Sequence, residues 1–256
     1  MTDIKTSYDR IRPQPTLEDL GYLPEQAKEV AAMADLSPGL RIVAGVTGAG
    51  KSTTVAAVVA IAQRAGAKVV VLQDTLEPTF EGLPHIKVDE NETSLDAAGG
   101  PWAKALQQSM RSAPDLFVIG ELRNEESVRA AIDLVGKGCC VWTTVHSAGA
   151  HDVLQRLHSM GINDIEGLLF SPFVVTGLIH QTRAPKLSGG DQILAEVIRP
   201  DGDYLFTSRI YGANAAQLQW MQGPSRLSYS EVAARKIQEG LLDPAWVEQH
   251  FGPSKS

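Results

Sequence analysis

Cysteine is almost missing from this 256-residue chain: Cys139 and Cys140 are the only two, and they are adjacent. They lie in "GKGCCVWTTVH", an apolar run that reads as a strand, where neighbouring side chains point to opposite faces. That geometry does not suit a mutual disulfide, and the reading is two buried packing thiols. No C-x-x-C pair exists, so a cysteine zinc site is excluded and no zinc is expected. Runs of Lys and Arg are missing as well. With a formal charge of -7, the chain is a poor match for nucleic acid or an acidic membrane surface as main partner. No stretch approaches 18 apolar residues free of charge, and the opening "MTDIKTSYDRIRPQP" has no signal-peptide core. The chain therefore reads as cytoplasmic, with any membrane contact peripheral. Internal repeats and low-complexity segments are absent too.

What remains is an ordinary soluble composition with strand and helix patterns in alternation. Residues 1–16 are polar, carry two prolines and read as an arm or linker, and "LEDLGYLPEQAKEVAAMADL" suggests a short helix beginning near Pro24. "LRIVAG", "AKVVVLQD", "HIKVD", "DLFVIGEL" and "GCCVWTTVH" read as strands, the longer ones continuous apolar runs of the kind parallel sheets require. Between them, "KSTTVAAVVAIAQRAG", "LDAAGGPWAKALQQSMRSA" and "NEESVRAAIDLVGKG" read as helices. This alternation predicts a doubly wound, mostly parallel α/β sheet with helices on both faces. Two further helices are expected around 149–160 and 164–182. A β-hairpin of "QILAEVIR" and "YLFTSRIY" follows, then a tail with two short helices. The expected division is an arm with a short helix over 1–37, a core over 38–212 and a helical tail over 213–256.

The chemistry concentrates in "GVTGAGKST", Gly45 to Thr53, which fits G-x-x-x-x-G-K-[ST] and sits directly after a strand, opening a helix. In that setting the backbone N–H groups of Gly45, Thr47, Gly48, Ala49, Gly50, Lys51, Ser52 and Thr53 are candidates to curl round a nucleotide's phosphates. Lys51 reaches the β- and γ-phosphates, and Ser52 ligates Mg²⁺. Such a site also needs a carboxylate at a neighbouring strand end, for the metal or the attacking water. "DLFVIGELRN" supplies Glu121, with Arg123 just after it, and "VVVLQD" supplies Asp74, followed by Glu77. A third strand, "VWTTVH", ends in His146. Ligands in this architecture bind at the ends of parallel strands, and three successive strands ending in polar residues converge on such a place.

With these boxes in hand, the sequence resembles the ATPases of type II and type IV secretion, pilus assembly and retraction, and conjugation. The resemblance runs from about Leu20 onward and rests on four ordered boxes: "GVTGAGKST", "VLQDTLEP", "VIGELRN" and "WTTVHSAGAHDVLQRL". The run "MRSAPD" adds Arg111. The resemblance implies a RecA-like P-loop fold and a hexameric ring motor hydrolysing ATP with Mg²⁺, docked on an inner-membrane platform protein; the acidic charge and the lack of a basic stripe give no expectation of direct nucleic-acid contact. It implies that Glu121 acts on the metal or the attacking water and that His146 senses the γ-phosphate. Arg111 and Arg123 become candidates for charge contacts at the site or the ring interface.

The departures are specific. The family's E-D-P-x-E box reads Gln73-Asp74-Thr75-Leu76-Glu77 here, so its first acid is an amide that cannot take a proton. If Gln73 limits catalysis, Gln73→Glu raises turnover. Asn124 stands where an Asp is usual, and only about forty residues precede Gly45, whereas the family carries a further domain there. These departures keep a second reading open, a nucleotide-binding regulatory or scaffold subunit with weak hydrolysis, and behind it a RecA-type DNA motor. "LSGGDQ", Leu187 to Gln192, mimics the signature of transporter-type ATPases but follows Glu121 and His146 instead of preceding them, so it reads as a turn. His151 and His158 have no further ligands within reach to make a metal site, and the four tryptophans read as packing residues.

Overall fold

The structure is a computed structural model and describes residues 14–90, 100–150, 152–160, 174–199 and 227–251. Seven strands form one sheet: β1 Gly39–Gly45, β2 Val69–Gln73, β3 His85–Lys87, β4 Leu116–Ile119, β5 Cys140–His146, β6 Val175–Pro185 and β7 Asp191–Ile198. Their order is β3-β2-β4-β5-β1-β6-β7. Every pairing is parallel except β6 with β7. All residues of β1, β2 and β4 are buried, as strands covered on both faces must be.

Helices cover both faces. On one lie α1 Leu17–Leu20, α2 Pro24–Ala32 and α3 Lys51–Arg64, packing Tyr22, Val30, Val55 and Val58 against Val43, Val71 and Trp142. On the other lie α4 Pro101–Met110, α5 Glu125–Gly136 and α6 Asp152–Ser159, which pack Trp102, Leu106, Leu134 and Leu157 against Ile42, Leu72 and Phe117. The segment around Pro24 thus forms two helices, with Gly21 between them in the left-handed region at φ 103°. Two more helices follow, α7 Tyr229–Gln238 and α8 Pro244–Phe251; Val232 and Ala233 of α7 and Leu242 of the link between them pack onto Ala184 and Leu194 of β6 and β7.

One expectation about the second half is corrected. The stretch 175–182, read as the end of a helix, is the strand β6, and residues 161–173 lie outside the described residues. "VTGLIHQT" is apolar without a helical period, and its place beside β1 buries it on both faces, which rewards extended backbone. The expected pairing of "QILAEVIR" with "YLFTSRIY" involves residues outside those described, and β6 and β7 form a hairpin of their own. "LSGGDQ" is its turn: Lys186 N–H donates to the Gly190 carbonyl at 2.9 Å, with Gly189 and Gly190 at φ 92° and 78°. Cys140 is buried at the start of β5, with Cys139 half-buried just before it, and both thiols are free.

A buried cation fastens α7 to the sheet. The Lys236 side chain is 1% exposed, and its ammonium donates to the Gly21 carbonyl, to Gln192 Oε1 at 2.9 Å and to the Ile193 carbonyl at 3.1 Å. Burial pulls its pKa down to about 8. Three donors meeting three acceptors nevertheless suit the charged form. Lys236→Met keeps the bulk but strands three buried acceptors, so it is expected to destabilise the chain by about 2–4 kcal/mol in urea unfolding. A change under about 0.5 kcal/mol would show that water reaches those acceptors.

Candidate active site

Local rules build the loop between β1 and α3. Gly45 ends β1 at φ 152°, and a Cβ there would come within 2.3 Å of the Gln181 carbonyl oxygen on β6. Gly48 and Gly50 take φ 80° and 82°, and Gly50 caps α3 in the left-handed region. Thr47 and Gly48 are exposed and Ala49 is buried, while Gly50, Ser52 and Thr53 are half-buried. Lys51 is only 7% exposed, and its ammonium folds back to donate to the carbonyls of Gly45 and Val46, both at 3.0 Å. Burial lowers its pKa, against the opposing pull of Glu121 and Glu77.

The parallel register brings the polar strand ends side by side. Gly45 of β1 lies beside His146 of β5, and Leu72 of β2 lies beside Ile119 of β4. Beyond those ends, a continuous chain of contacts crosses four strands. Lys51 Nζ stands 3.4 Å from His146 Nδ1, and His146 Nε2 stands 3.2 Å from Glu121 Oε1. Arg123 donates from Nε and Nη2 to Glu121 Oε2, both at 2.9 Å, and from Nη1 to Asp74 Oδ2 at 2.8 Å. Burial, then the charge of Lys51, lowers the His146 pKa, so the ring is neutral near pH 7. A lysine facing Nδ1 makes that atom the acceptor, and Nε2–H donates to Glu121.

Arg111 is not brought into this group. It is exposed at the C-terminal end of α4, which leads into the opposite end of β4. Arg123, in contrast, is the bridge between the two carboxylates. Asn124 caps α5, accepting from the Ser127 N–H at 2.9 Å, while its amide donates to Glu90 Oε1 at 2.9 Å. An Asp there would cap equally well but would meet Glu90 with a like charge.

Gln73 turns away from the group. Its side chain is 1% exposed and lies on Gly120, where a Cβ would approach its Cγ to 2.8 Å. Oε1 accepts only a long 3.4 Å bond from the Glu77 N–H, and Nε2 meets no acceptor among the described residues. Gly120 therefore precedes Glu121 because the neighbouring strand's side chain fills the space. Gln73→Glu would bury a carboxylate with one weak donor. The expected result is a stability loss of about 1–3 kcal/mol with no gain in phosphate release. A several-fold gain would mean that the side chain at 73 swings outward.

Beside the loop and His146 opens a cleft of about 610 Å³, bordered also by Ser147, Asp152 and Arg156. Arg156 was not singled out in the sequence. The available signal was its i, i+4 spacing from Asp152 on a helix beginning just after the histidine. Its charge also lowers the His146 pKa. The cleft has room for an anion, with Arg156 the cation on its wall. The hydroxyl of Ser52 and the carboxylates of Glu121 and Asp74 are hard oxygen donors, which fit Mg²⁺ shared with phosphates. Among the described residues no group of three or more His, Cys, Asp or Glu forms a cage that would favour another cation.

A mostly parallel seven-stranded sheet with helices on both faces, and its polar groups gathered at the strand ends after β1, defines a RecA-like α/β protein. The model of the type II/IV secretion system protein family matches residues 8–228, and the chain belongs to that family. The putative type II secretion system protein E of Escherichia coli K12 is 28% identical over 179 residues, which are 70% of this chain and 34% of that protein. The type IV pilus retractation ATPase PilT of Pseudomonas aeruginosa is 28% identical over 186 residues, 72% of this chain and 52% of that one. The chain thus spans a third to a half of these relatives' lengths. A crystal structure of the pilus retraction motor PilT with bound ADP shares the fold at a TM-score of 0.72, with 21% identity, over 95% of this chain and 68% of that one. No helix among the described residues is long and apolar enough to cross a membrane.

Proposed function

We propose that this chain hydrolyses ATP as the motor core of a secretion, type IV pilus or conjugative-transfer machine, acting at the cytoplasmic face of the inner membrane in a hexameric ring. The observation that carries the reading is the unbroken contact chain Lys51–His146–Glu121–Arg123–Asp74 across four strand ends, beside a loop shaped for phosphate. A relative named as a pilus ATPase supports the same reading.

In this reading the loop N–H groups and Lys51 hold the phosphates, with Lys51 exchanging its two carbonyl contacts for phosphate oxygens. Ser52 and Glu121, with Asp74 near, would hold Mg²⁺, which neutralises phosphate charge when bound. Glu121 orients the attacking water and accepts its proton as the new P–O bond forms and ADP departs. Arg123, on Glu121 Oε2, keeps that carboxylate aimed. His146, neutral and hydrogen-bonded to Glu121, borders the cleft and, with Nδ1 beside Lys51, is placed to register the γ-phosphate through it.

The scaffold reading keeps one observation in its favour, the buried amide of Gln73 at the family's acidic position. The two separate by the Mg²⁺-dependent rate of phosphate release per chain, followed across protein concentration beside sedimentation. A rate that climbs as rings assemble supports the motor. Tight ATP binding with no release at any concentration supports the scaffold and overturns the motor.

A further inference from the structure

The phosphate loop is braced from below by one residue of β6. Gln181 is fully buried, and its side chain lies on the α3 face of the sheet. Its Nε2 donates to the carbonyl of Ala49, in the middle of the loop, at 2.7 Å. Its Oε1 accepts from the Tyr22 hydroxyl at 2.7 Å and from the Thr54 hydroxyl on α3 at 2.9 Å. The two hydroxyls are 3.3 Å apart. The orientation of the amide is dictated, because a carbonyl can only accept, so the NH₂ end must face Ala49. Tyr22 is buried, which pushes its phenol pKa up and keeps the hydroxyl a donor.

Gln181 also shapes the loop by filling space. Its main-chain carbonyl oxygen occupies the place where a side chain at position 45 would go, and its side-chain Nε2 stands 3.4 Å from a Cβ built on Gly50. One residue therefore touches the loop's first, middle and last turns. Tyr22 in turn belongs to the α1–α2 junction, whose Gly21 carbonyl is gripped by Lys236 of α7. The loop's shape is tied through a single buried glutamine to the segment on which Tyr22 sits.

We infer that Gln181, held by Tyr22 and Thr54, is a positioning residue for the phosphate loop, and that the Tyr22 segment sets nucleotide affinity through it. The inference rests on the reading of Gly45–Thr53 as the nucleotide site. The physical reason is pre-organisation. Phosphate binding requires the loop N–H groups to point inward together, and a carbonyl at Ala49 free to rotate would make that arrangement one of several.

The test measures ATP and inorganic tripolyphosphate dissociation constants, steady-state KM and kcat, and urea midpoints for the wild type, Tyr22→Phe and Gln181→Met. Tyr22→Phe removes one hydroxyl without changing shape, so it folds even where Gln181→Met is compromised. The expected result is ATP binding weakened about 3-fold by Tyr22→Phe and about 10-fold by Gln181→Met, on the scale of one buried hydrogen bond. Tripolyphosphate should weaken in parallel, because the effect is on phosphate and not on the base. KM should rise with kcat at saturating ATP little changed. In the double variant the losses should be less than additive, because both act through Ala49. Wild-type affinity for both ligands in both variants, with lowered urea midpoints, would make the cluster simple core glue and overturn the inference. A wild type that binds neither ATP nor tripolyphosphate would overturn the nucleotide-site reading itself, and the inference with it.

Discussion

Lys51→Ala is expected to abolish both Mg²⁺-dependent ATP turnover and tight nucleotide binding. Lys51 is the one cation placed inside the loop, with its ammonium on the Gly45 and Val46 carbonyls and 3.4 Å from His146. Removing a positioned cation from a phosphate-transfer site lowers the rate by about 10²–10³-fold or more. Here the loss also strands two carbonyls and releases His146 from its neighbour, so binding falls too. The fold should survive, because α3 keeps Thr54, Val55 and Val58 buried. Circular dichroism and urea unfolding verify that, while phosphate release and ATP binding read the effect. A variant that turns over at the wild-type rate would show that the loop is not the site.

Glu121→Gln is expected to separate binding from chemistry. Gln keeps the shape and still accepts from Arg123, but it cannot take a proton from water. General-base removal lowers turnover by about 10²–10⁴-fold. Nucleotide binding should persist, because the loop N–H groups, Lys51 and Ser52 are untouched and Gln can still offer an oxygen to the metal. The outcome to look for is ATP retained unhydrolysed on the protein, read by quenching and chromatography of bound nucleotide. Equal rates in variant and wild type would pass the role to Asp74, which shares Arg123 with Glu121 at 2.8 Å.

Most of this arrangement was legible in the sequence because it depends on local rules. Continuous apolar runs between helical patterns are parallel strands, and the glycines of "GVTGAGKST" sit where the loop needs left-handed backbone. That Asp74, Glu121 and His146 all end strands was visible. That they touch was not, because strand order decides it: β2, β4 and β5 are neighbours only once the sheet is wound. The apolar run before "PKLSGGDQ" carried no period to separate strand from helix, and burial beside β1 resolved it as β6. Gln73 shows the opposite limit. Its residue type raised the question of a missing acid, but its inward rotamer against Gly120 is a packing fact invisible in one dimension. Gln181 lies some 130 residues from the loop it braces and matches no motif, so only the fold could reveal it.

The central claim is that the joined strand ends turn over ATP. The most direct test is steady-state phosphate release by the wild-type chain at saturating ATP and Mg²⁺, over protein concentrations spanning ring assembly, with Lys51→Ala and Glu121→Gln alongside. The account predicts sustained Mg²⁺-dependent release, lost in both variants, with ATP still bound by Glu121→Gln. ATP bound by the wild type but never cleaved at any concentration would contradict it.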